Sequence, residues 1–238
     1  MKLKWDEIGE RYFETGLSQG VLYLRDDDTG TYPEGVPWNG LISINENSSG
    51  AEPTPFYADN IKYLNLMSDE EFNGTIESYT YPDEFAECDG SKEVVKGVMV
   101  NQQTRKTFGL VYKTSLGSDM AGTARGYKLH LIYGALASPS DKGYETIGDS
   151  PEAMTFSHEI STTPVLVAGM DKPTANLTID STKVNALALA AFENQLFGKD
   201  AKEESEEGAG DAEAAITANL PLPDEVISFF DDFDSGQG

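Results

Sequence analysis

The chain has 238 residues, 39% of them hydrophobic, which is enough for the core of one large β domain or two small ones, and we expect a single domain. Its 17 basic and 41 acidic residues give a net charge of −24, which argues against a protein that holds nucleic acid through phosphate contacts. The single cysteine excludes an intramolecular disulfide and is typical of folding in a reducing cytoplasm, and the chain shows neither a signal peptide nor a run of transmembrane length.

Short runs of alternating or β-branched residues recur along the chain with turn residues between them. This pattern is typical of a β-sandwich or barrel, so the predicted fold class is mainly β. The predicted strands cover residues 20–24, 40–45, 61–67, 73–79, 104–113, 126–133, 152–162 and 175–180.

A long polar segment, residues 46–60, follows the second predicted strand. It is rich in Gly, Ser and Pro, yet it carries Phe56 and Tyr57 near its end. Loops of this length inside a compact domain are usually functional, and Pro53 and Pro55 lower the entropy that such a loop loses when it docks. We expect a contact surface here, and a mobile surface loop is the alternative.

One segment departs from the β pattern. Residues 181–198 carry apolar side chains at helical spacing, which predicts one amphipathic α-helix packed on the β domain. Ser181 or Thr182 is the predicted amino cap and Gly198 the carboxyl stop. The apolar stripe includes Leu187, Ala191 and Phe192, so we expect the change Leu187→Asp to prevent stable folding.

After Gly198 the composition changes, and we divide the chain into a β domain, residues 1–198, and an acidic linker with a carboxyl-terminal arm, residues 199–238. Residues 199–238 hold 12 acidic and 2 basic residues. The β domain therefore holds 29 acidic and 15 basic residues, which is a net charge of −14. A solvated acidic tail is one interpretation. The apolar residues Val226, Ile227, Phe229, Phe230 and Phe233 instead favour a docking peptide, with another copy of the chain as its expected target.

A search for chemistry yields no candidate catalytic, cofactor-binding or metal-ligating set. Phosphate-cradling glycine loops, nucleophile elbows and the zinc motif H-E-x-x-H are absent from the sequence. His130 and His158 lie in predicted strands, where a structural role or solvent exposure is favoured over a metal pair. Cys88 lies in a predicted turn, and nothing in the sequence places a base beside it.

The acidic run Asp26, Asp27 and Asp28 could bind a hard cation through a loop. The segment RDDDTGTYPEG lacks the spacing of an EF-hand calcium loop, because that loop needs ligands at alternate positions and a terminal glutamate. A polar hairpin tip is therefore the favoured interpretation.

Four blocks of sequence carry a resemblance to a known family. They are RYFETGLSQGVLYL (11–24), YPEGVPWNGLISI (32–44), a composite third block made of SGAEPTPFYADNIKYLNLMS (49–68), YTYPDEFAECDGS (79–91) and QQTRKTFGLVYKTSLG (102–117), and GYKLHLIYGALASPS (126–140) followed by SPEAMTFSHEISTTPV (150–165). In order and spacing these blocks resemble the major tail tube protein of long-tailed, non-contractile bacteriophages. The resemblance extends from about Gly9 to Gly198.

The resemblance implies a tail-tube-type β-sandwich or barrel that assembles into stacked hexameric rings and performs no chemistry. The expected partners are further copies of the chain, with tape measure, tail terminator and distal tail proteins, and double-stranded DNA passes through without specific binding or a membrane partner. No cofactor is expected. The implied location is the tail of the virion, after assembly in the host cytoplasm.

Two other classes stay open at this point. A monomeric carbohydrate-binding or adhesion β-sandwich would share the strand pattern, and it would display clustered surface aromatics and a ligand pocket. A calcium-dependent or histidine-metal enzyme is the third class, although no motif supports it.

Overall fold

A computed structural model describes residues 2–140, 142–149, 153–201 and 214–236. Strands form 46% and helices 13% of the structure, which confirms the mainly β class. The strands are β1 (Tyr12–Leu24), β2 (Gly35–Trp38), β3 (Leu41–Gly50), β4 (Pro53–Ala58), β5 (Ile61–Met67), β6 (Glu70–Ser78), β7 (Lys92–Val95), β8 (Val98–Val100), β9 (Phe108–Ser118), β10 (Gly122–Ala137), β11 (Phe156–Thr162) and β12 (Asn176–Asp180). The helices of the described ranges are α1 (Ala186–Phe197), α2 (Pro223–Asp234) and a short 3-10 helix (Asp83–Glu87), and none of them is long and apolar enough to cross a membrane.

Eight strands form one antiparallel sheet in the order β2-β1-β9-β10-β11-β6-β3, with β12 beside β10. Strand β10 is long enough to serve three neighbours. It pairs with β9 along most of its length, with β12 over residues 128–132, and with β11 over residues 135–137. The sheet therefore branches at β10, and it does not close into a barrel.

Successive residues of β1, β9 and β10 point to opposite faces of the sheet and supply two separate cores. The helix core lies under α1 and α2 and includes Tyr23, Leu131 and Phe192. The sandwich core lies on the opposite face, where residues such as Leu110 meet Ile76 of β6 and Phe85 of the 3-10 helix. Each large buried side chain contributes about 1.5–3 kcal/mol. The fold is thus a sandwich whose one outer face carries two helices.

All eight predicted strands overlap observed strands, although the beginning of the segment 152–162 lies outside the described residues. The structure adds four strands that the sequence did not indicate, β2, β4, β7 and β8. Every residue of β4, β7 and β8 is exposed, so these strands have no buried face to impose alternation on the sequence.

The prediction of a long loop at residues 46–60 is wrong. Strand β3 continues to Gly50 and β4 begins at Pro53, so most of this segment is one arm of a long hairpin. The hairpin turns at Asp59 and Asn60, whose φ angles of 51° and 61° fit a two-residue turn of the type that matches strand twist. A continuous antiparallel partner, β5 and β6, orders a segment whose composition resembles a loop.

The predicted helix exists, but its amino end and its buried face differ from the prediction. Helix α1 begins at Ala186, because the side chain of Asn185 accepts hydrogen bonds from the Leu187 and Ala188 amides at 2.9 and 3.4 Å. Gly198 ends the helix as predicted, with φ of 81°. The buried side chains are Ala188, Leu189, Phe192 and Leu196. Leu187 is 77% exposed, so the expectation that it belongs to the core is wrong.

The described part of the carboxyl-terminal arm lies on its own chain. Leu220 and Val226 belong to the helix core, and Phe229 and Phe230 contact Phe192 of α1 at ring-centroid distances of 5.5 and 5.3 Å. The expectation of docking on another copy is therefore not met, and the arm adds a second helix to the fold. The charged stretch 202–213 lies outside the described residues, and the domain boundary at residue 198 stays a prediction.

Candidate assembly surfaces

The outer face of β3, β6 and β11 is a flat array of polar side chains, which we call the polar ladder. Because side chains alternate along a strand, the residues that point away from the sandwich core form rows across the three strands. The registers align Ser43, Glu77 and Ser157 in one row and Asn45, Thr75 and Glu159 in the next. The full set is Ser43, Asn45, Asn47, Ser49, Glu71, Asn73, Thr75, Glu77, Ser157, Glu159 and Ser161.

The polar ladder carries three carboxylates and neither a basic nor an aliphatic side chain. Its members bond to one another, since the Ser43 hydroxyl donates to Glu77 Oε2 at 2.8 Å and Asn73 Nδ2 donates to Ser49 Oγ at 3.1 Å. Side chains that hydrogen-bond to one another leave fewer polar groups available to bind a ligand. Its carboxylates repel a polyanion such as DNA, so it can face DNA without holding it.

Several strand edges have no strand partner among the described residues, and those of β3 and β1 are two of them. Strand β3 pairs only with β6, which leaves its other edge free. Strand β1 pairs with β2 only over residues 20–23, so the same edge of residues 12–19 is also free. Unpaired amide and carbonyl groups at a sheet edge are ready to pair with another chain.

The chain covers a third edge, that of β2. The Gly35 amide donates to the Ala218 carbonyl at 2.9 Å, and the Leu220 amide donates to the Tyr32 carbonyl at 3.1 Å. Leu220 also lies over Gly109, where an added Cβ would come within 2.5 Å of its side chain. The arm therefore completes the sheet at this end and removes one edge from solvent.

Strands β4 and β5 form a hairpin that is exposed along its whole length, which we call the β4–β5 hairpin. Its exposed apolar side chains are Phe56, Tyr57, Ile61, Tyr63, Leu64, Leu66 and Met67. Pro53 and Pro55 occupy alternate positions of β4, so two backbone N–H donors are missing from the same edge of this strand. A two-stranded hairpin alone is only marginally stable in water, and an exposed patch of this size is typical of an interaction site.

Strands β7 and β8 form a second exposed hairpin that the sequence did not reveal. Gly97 makes its turn with φ of 79°, and the Gly97 amide donates to Glu93 Oε1 at 2.6 Å. The exposed apolar residues are Val94, Val95, Val98, Met99 and Val100. Two projecting hairpins thus expose apolar side chains that the body of the fold leaves uncovered.

His130 lies in a polar network between strands β1 and β3. Its ring stacks on Tyr112 at 4.7 Å, and its nitrogens lie 3.4 Å from Glu14 of β1 and 3.6 Å from Glu46 of β3. Glu46 also accepts a hydrogen bond from the Tyr112 hydroxyl. The network links β1 to β3 across the gap where the sheet fails to close.

Lys128 and Thr114 fix the Glu14 carboxylate within this network. Lys128 Nζ donates to Glu14 Oε2 at 2.6 Å, and the Thr114 hydroxyl donates to Glu14 Oε1 at 2.5 Å. Partial burial by itself raises the pKa of Glu14, but these two hydrogen bonds outweigh it and hold the pKa below its ordinary value. Glu14 therefore stays ionised and paired at neutral pH.

His158 lies in a different environment, fully buried among aromatic rings. Its ring meets Phe85 at 4.9 Å and Tyr81 at 5.6 Å in edge-on geometry, and neither ring nitrogen has a hydrogen-bond partner among the described residues. Burial lowers its pKa, and together with the cations Lys142 and Arg105 it outweighs the opposing effect of the Asp89 carboxylate. His158 is thus a neutral core residue, and the structure does not bring it together with His130.

The other residues that the sequence singled out are Cys88 and the acidic run at residues 26–28. Burial in the sandwich core raises the pKa of the Cys88 thiol to about 12, which keeps it protonated and weakly nucleophilic. Asp26 accepts hydrogen bonds from the Asp28 and Thr29 amides at 2.8 and 3.2 Å, so the acidic run forms a tight polar turn after β1. Within the described ranges no group of three His, Cys, Asp or Glu residues is placed to hold a metal ion.

Comparisons with known proteins give distant similarities to solved structures. No family model matches the chain, and no curated protein matches it. The tube-terminating cap of the anti-feeding prophage is 10% identical, with a TM-score of 0.34 over 76% of this chain and 95% of that chain. The sheath–tube complex of the extracellular contractile injection system PVC is 11% identical, with a TM-score of 0.30 over 75% and 94%. Its sheath/tube terminator is 11% identical, with a TM-score of 0.28 over 75% and 99%. TM-scores below 0.5 do not establish a shared fold.

Proposed function

We propose that this protein is a structural virion protein whose copies form stacked hexameric rings, and that these rings build the tail tube of a long-tailed, non-contractile bacteriophage. The tube is the conduit for DNA ejection, and the protein performs no catalysis. The sequence resemblance suggests this function. The observation that carries the proposal is the combination of the polar ladder with free strand edges on β1 and β3.

Ring formation follows from the free edges of β1 and β3. Residues 12–19 of β1 and residues 41–50 of β3 are different surfaces of one chain, so joining them between copies gives a head-to-tail contact. A contact of this kind generates a closed ring when the rotation that relates neighbouring copies adds up to one full turn. The backbone groups at the edge of each copy would then pair with those of the next copy, and the joined sheets would form a continuous wall.

The polar ladder belongs on the inner surface of that wall. Its carboxylates, Glu71, Glu77 and Glu159, repel DNA phosphates, and its short side chains leave a smooth surface. The chain without its arm has a net charge of −14, so the lumen does not depend on the arm for its repulsive field. Stacking of rings is assigned to the β4–β5 hairpin, which projects from the end of β3 and β6.

The expected partners beyond the chain itself are the tape measure, tail terminator and distal tail proteins, and the expected location is the virion tail after assembly in the host cytoplasm. These assignments rest on the sequence resemblance. They require that the purified chain, alone or with an initiating complex, forms a hollow tube.

Electron microscopy across a concentration series, with solution mass in parallel, tests the assembly. Six-fold rings or hollow tubes are the expected result. A strictly monomeric particle, even with an initiating tail complex present, would contradict it.

A charge-reversal variant tests the lumen. The double change Glu71→Lys and Glu159→Lys alters two exposed residues of the polar ladder, so tubes should form normally but retain short DNA duplexes at low salt and release them at high salt. The matched control is Glu34→Lys with Glu84→Lys, two exposed residues outside the polar ladder. Equal retention by both variants would show that the polar ladder does not face the lumen.

One observation favours an alternative, a monomeric carbohydrate-binding or adhesion module. Tyr57 and Tyr63 are exposed aromatic residues on the β4–β5 hairpin, and aromatic faces are what a sugar-binding surface needs. A glycan array with the monomeric protein separates the two functions. Specific glycan binding that the change Tyr63→Ala abolishes, together with an absence of rings, would support the alternative.

A further inference from the structure

Among the residues that the structure describes, none covers the exposed apolar surface around the amino terminus. Its members are Leu3, Trp5, Ile8, Tyr12, Phe13 and Met120, which we call the N-terminal patch. Trp5 and Ile8 are 74% and 78% exposed. Surface tryptophans are uncommon in monomeric domains, and Trp is among the residues most enriched at the centres of interfaces.

Hydrogen bonds hold one end of the N-terminal patch, at Gly9 and Arg11, on the turn between β9 and β10. The Gly9 amide donates to both oxygens of the Asp119 carboxylate at 3.0 and 3.1 Å, and the Asp119 amide donates to the Arg11 carbonyl at 3.2 Å. The Arg125 guanidinium lies 3.9 Å from the centre of the Tyr12 ring. A surface that is held at one end in this way loses less entropy when a partner binds.

Charge distinguishes the N-terminal patch from the rest of this acidic chain. Residues 2–13 and 119–125 carry four cations, Lys2, Lys4, Arg11 and Arg125, and four carboxylates, Asp6, Glu7, Glu10 and Asp119. The patch is therefore electrically balanced, whereas the whole chain has a net charge of −24. An acidic partner meets no net repulsion here, unlike on most of the remaining surface.

The β4–β5 hairpin has the properties of that partner. Residues 51–69 carry the carboxylates Glu52, Asp59 and Asp69 and one lysine, Lys62. Its seven exposed apolar residues include Tyr57, which is 71% exposed. The hairpin and the N-terminal patch are different surfaces of one chain, so their contact between copies is head-to-tail and can repeat without closing, which is how a stack of rings grows.

We infer that the N-terminal patch receives the β4–β5 hairpin of a copy in the adjacent ring, with Trp5 and Tyr57 near the centre of the contact. This inference rests on the proposed function and adds the acceptor surface, which the resemblance does not supply. Trp5 becomes buried on assembly. Aspartate at Trp5 or Tyr57 places an unpaired charge in the contact and stops elongation, while the stability of the monomer is unchanged because both side chains are exposed in it.

Cross-linking between two differently labelled copies tests the contact. Chains with Trp5→Cys are mixed with chains with Tyr57→Cys, assembled, and treated with a short bis-maleimide. Covalent dimers are expected from the mixture and only background from either variant alone. The native Cys88 is fully buried, so unmodified protein measures the background. The matched control replaces the first partner with Tyr144→Cys, an exposed aromatic position outside both surfaces, and should give background only.

Fluorescence supplies a second measurement. The difference spectrum between the native chain and the Trp5→Phe variant isolates the emission of Trp5 from that of the buried Trp38. This emission should shift to shorter wavelength on assembly.

The outcomes separate the inference from the proposed function. Normal tubes that give background cross-linking, or an unshifted Trp5 emission, would overturn the acceptor assignment and leave the tail tube intact. An absence of rings and tubes under every condition would instead remove the proposed function together with the inference.

Discussion

The two ends of the eight-stranded sheet differ in how their edges are treated. At the β2 end the chain folds its own arm back, and residues 218–220 pair with Tyr32 and Gly35. At the β3 end no strand of the described residues pairs with the edge, although β3 is ten residues long and β2 only four. A free edge of that length is an aggregation hazard unless a partner is meant to cover it. The contrast separates the edge that the subunit covers itself from the edge that the proposed assembly would cover.

The covered edge gives the largest expected effect. Leu220 is 2% exposed, so Leu220→Ala leaves a cavity under the arm and should lower the free energy of unfolding by about 2–5 kcal/mol, measured by denaturant titration. Ile227 lies on the exposed side of α2, and Ile227→Ala is the matched control with a change within about 0.5 kcal/mol. Equal stability of Leu220→Ala and native protein would mean that the arm is released in solution.

The free edges can be examined without mutation, by hydrogen exchange. Within residues 12–19 and 42–50, the amides that point away from β9 and β6 should exchange rapidly in the monomer and at least about tenfold more slowly in the assembly. Residues 21–23 already lie between two strand partners in the subunit, and their amides serve as the internal control. If assembly protects residues 21–23 but not the other two segments, the edge-to-edge contact is wrong.

The buried His158 should make the body of the fold sensitive to acid. Its pKa is below the ordinary value of 6.5 in the folded state, so the unfolded chain binds the proton more readily. Stability is full above about pH 6.5 and falls as the pH drops towards the folded pKa, by up to about 1.4 kcal/mol per pH unit.

The change His158→Phe should remove this contribution, because phenylalanine does not titrate and fits among Tyr81 and Phe85. The measurement is the free energy of unfolding at pH 5 and pH 7 for both proteins. Ser161→Ala, on the same strand and exposed, should keep the native dependence. An unchanged slope in His158→Phe would show that other groups cause the acid sensitivity.

The smallest effect is expected on the outer side of α1. Leu187 is exposed, so Leu187→Asp should change the free energy of unfolding by no more than about 0.5 kcal/mol. Leu189 is 5% exposed, and Leu189→Asp buries a charge and should prevent folding. Thermal unfolding of the two variants is the measurement, and a severe loss in Leu187→Asp would place that side chain in a contact that the single chain does not show.

Much of the fold could be predicted, because local periodicity reports local burial. The strands that contribute to the two cores, such as β9 and β10, are buried on both faces over much of their length, and they are visible in the sequence as runs of apolar and β-branched residues. Strands β4, β7 and β8 could not be predicted in this way, since every one of their residues is exposed. The polar ladder had a visible signal, the alternating Ser43, Asn45, Asn47 and Ser49, but its meaning needed the partner strands.

The sequence by itself determined the β class, an α-helix with its stop at Gly198, and the acidity of both residues 1–198 and residues 199–238. These properties depend on composition and on residues near one another in the chain. The tertiary structure decided that Leu187 faces solvent, that the arm covers β2 of its own chain, and that serine, asparagine and glutamate from three strands form one face. Each of these depends on pairing between segments far apart in the chain, and local preference does not encode which distant segment a strand will meet.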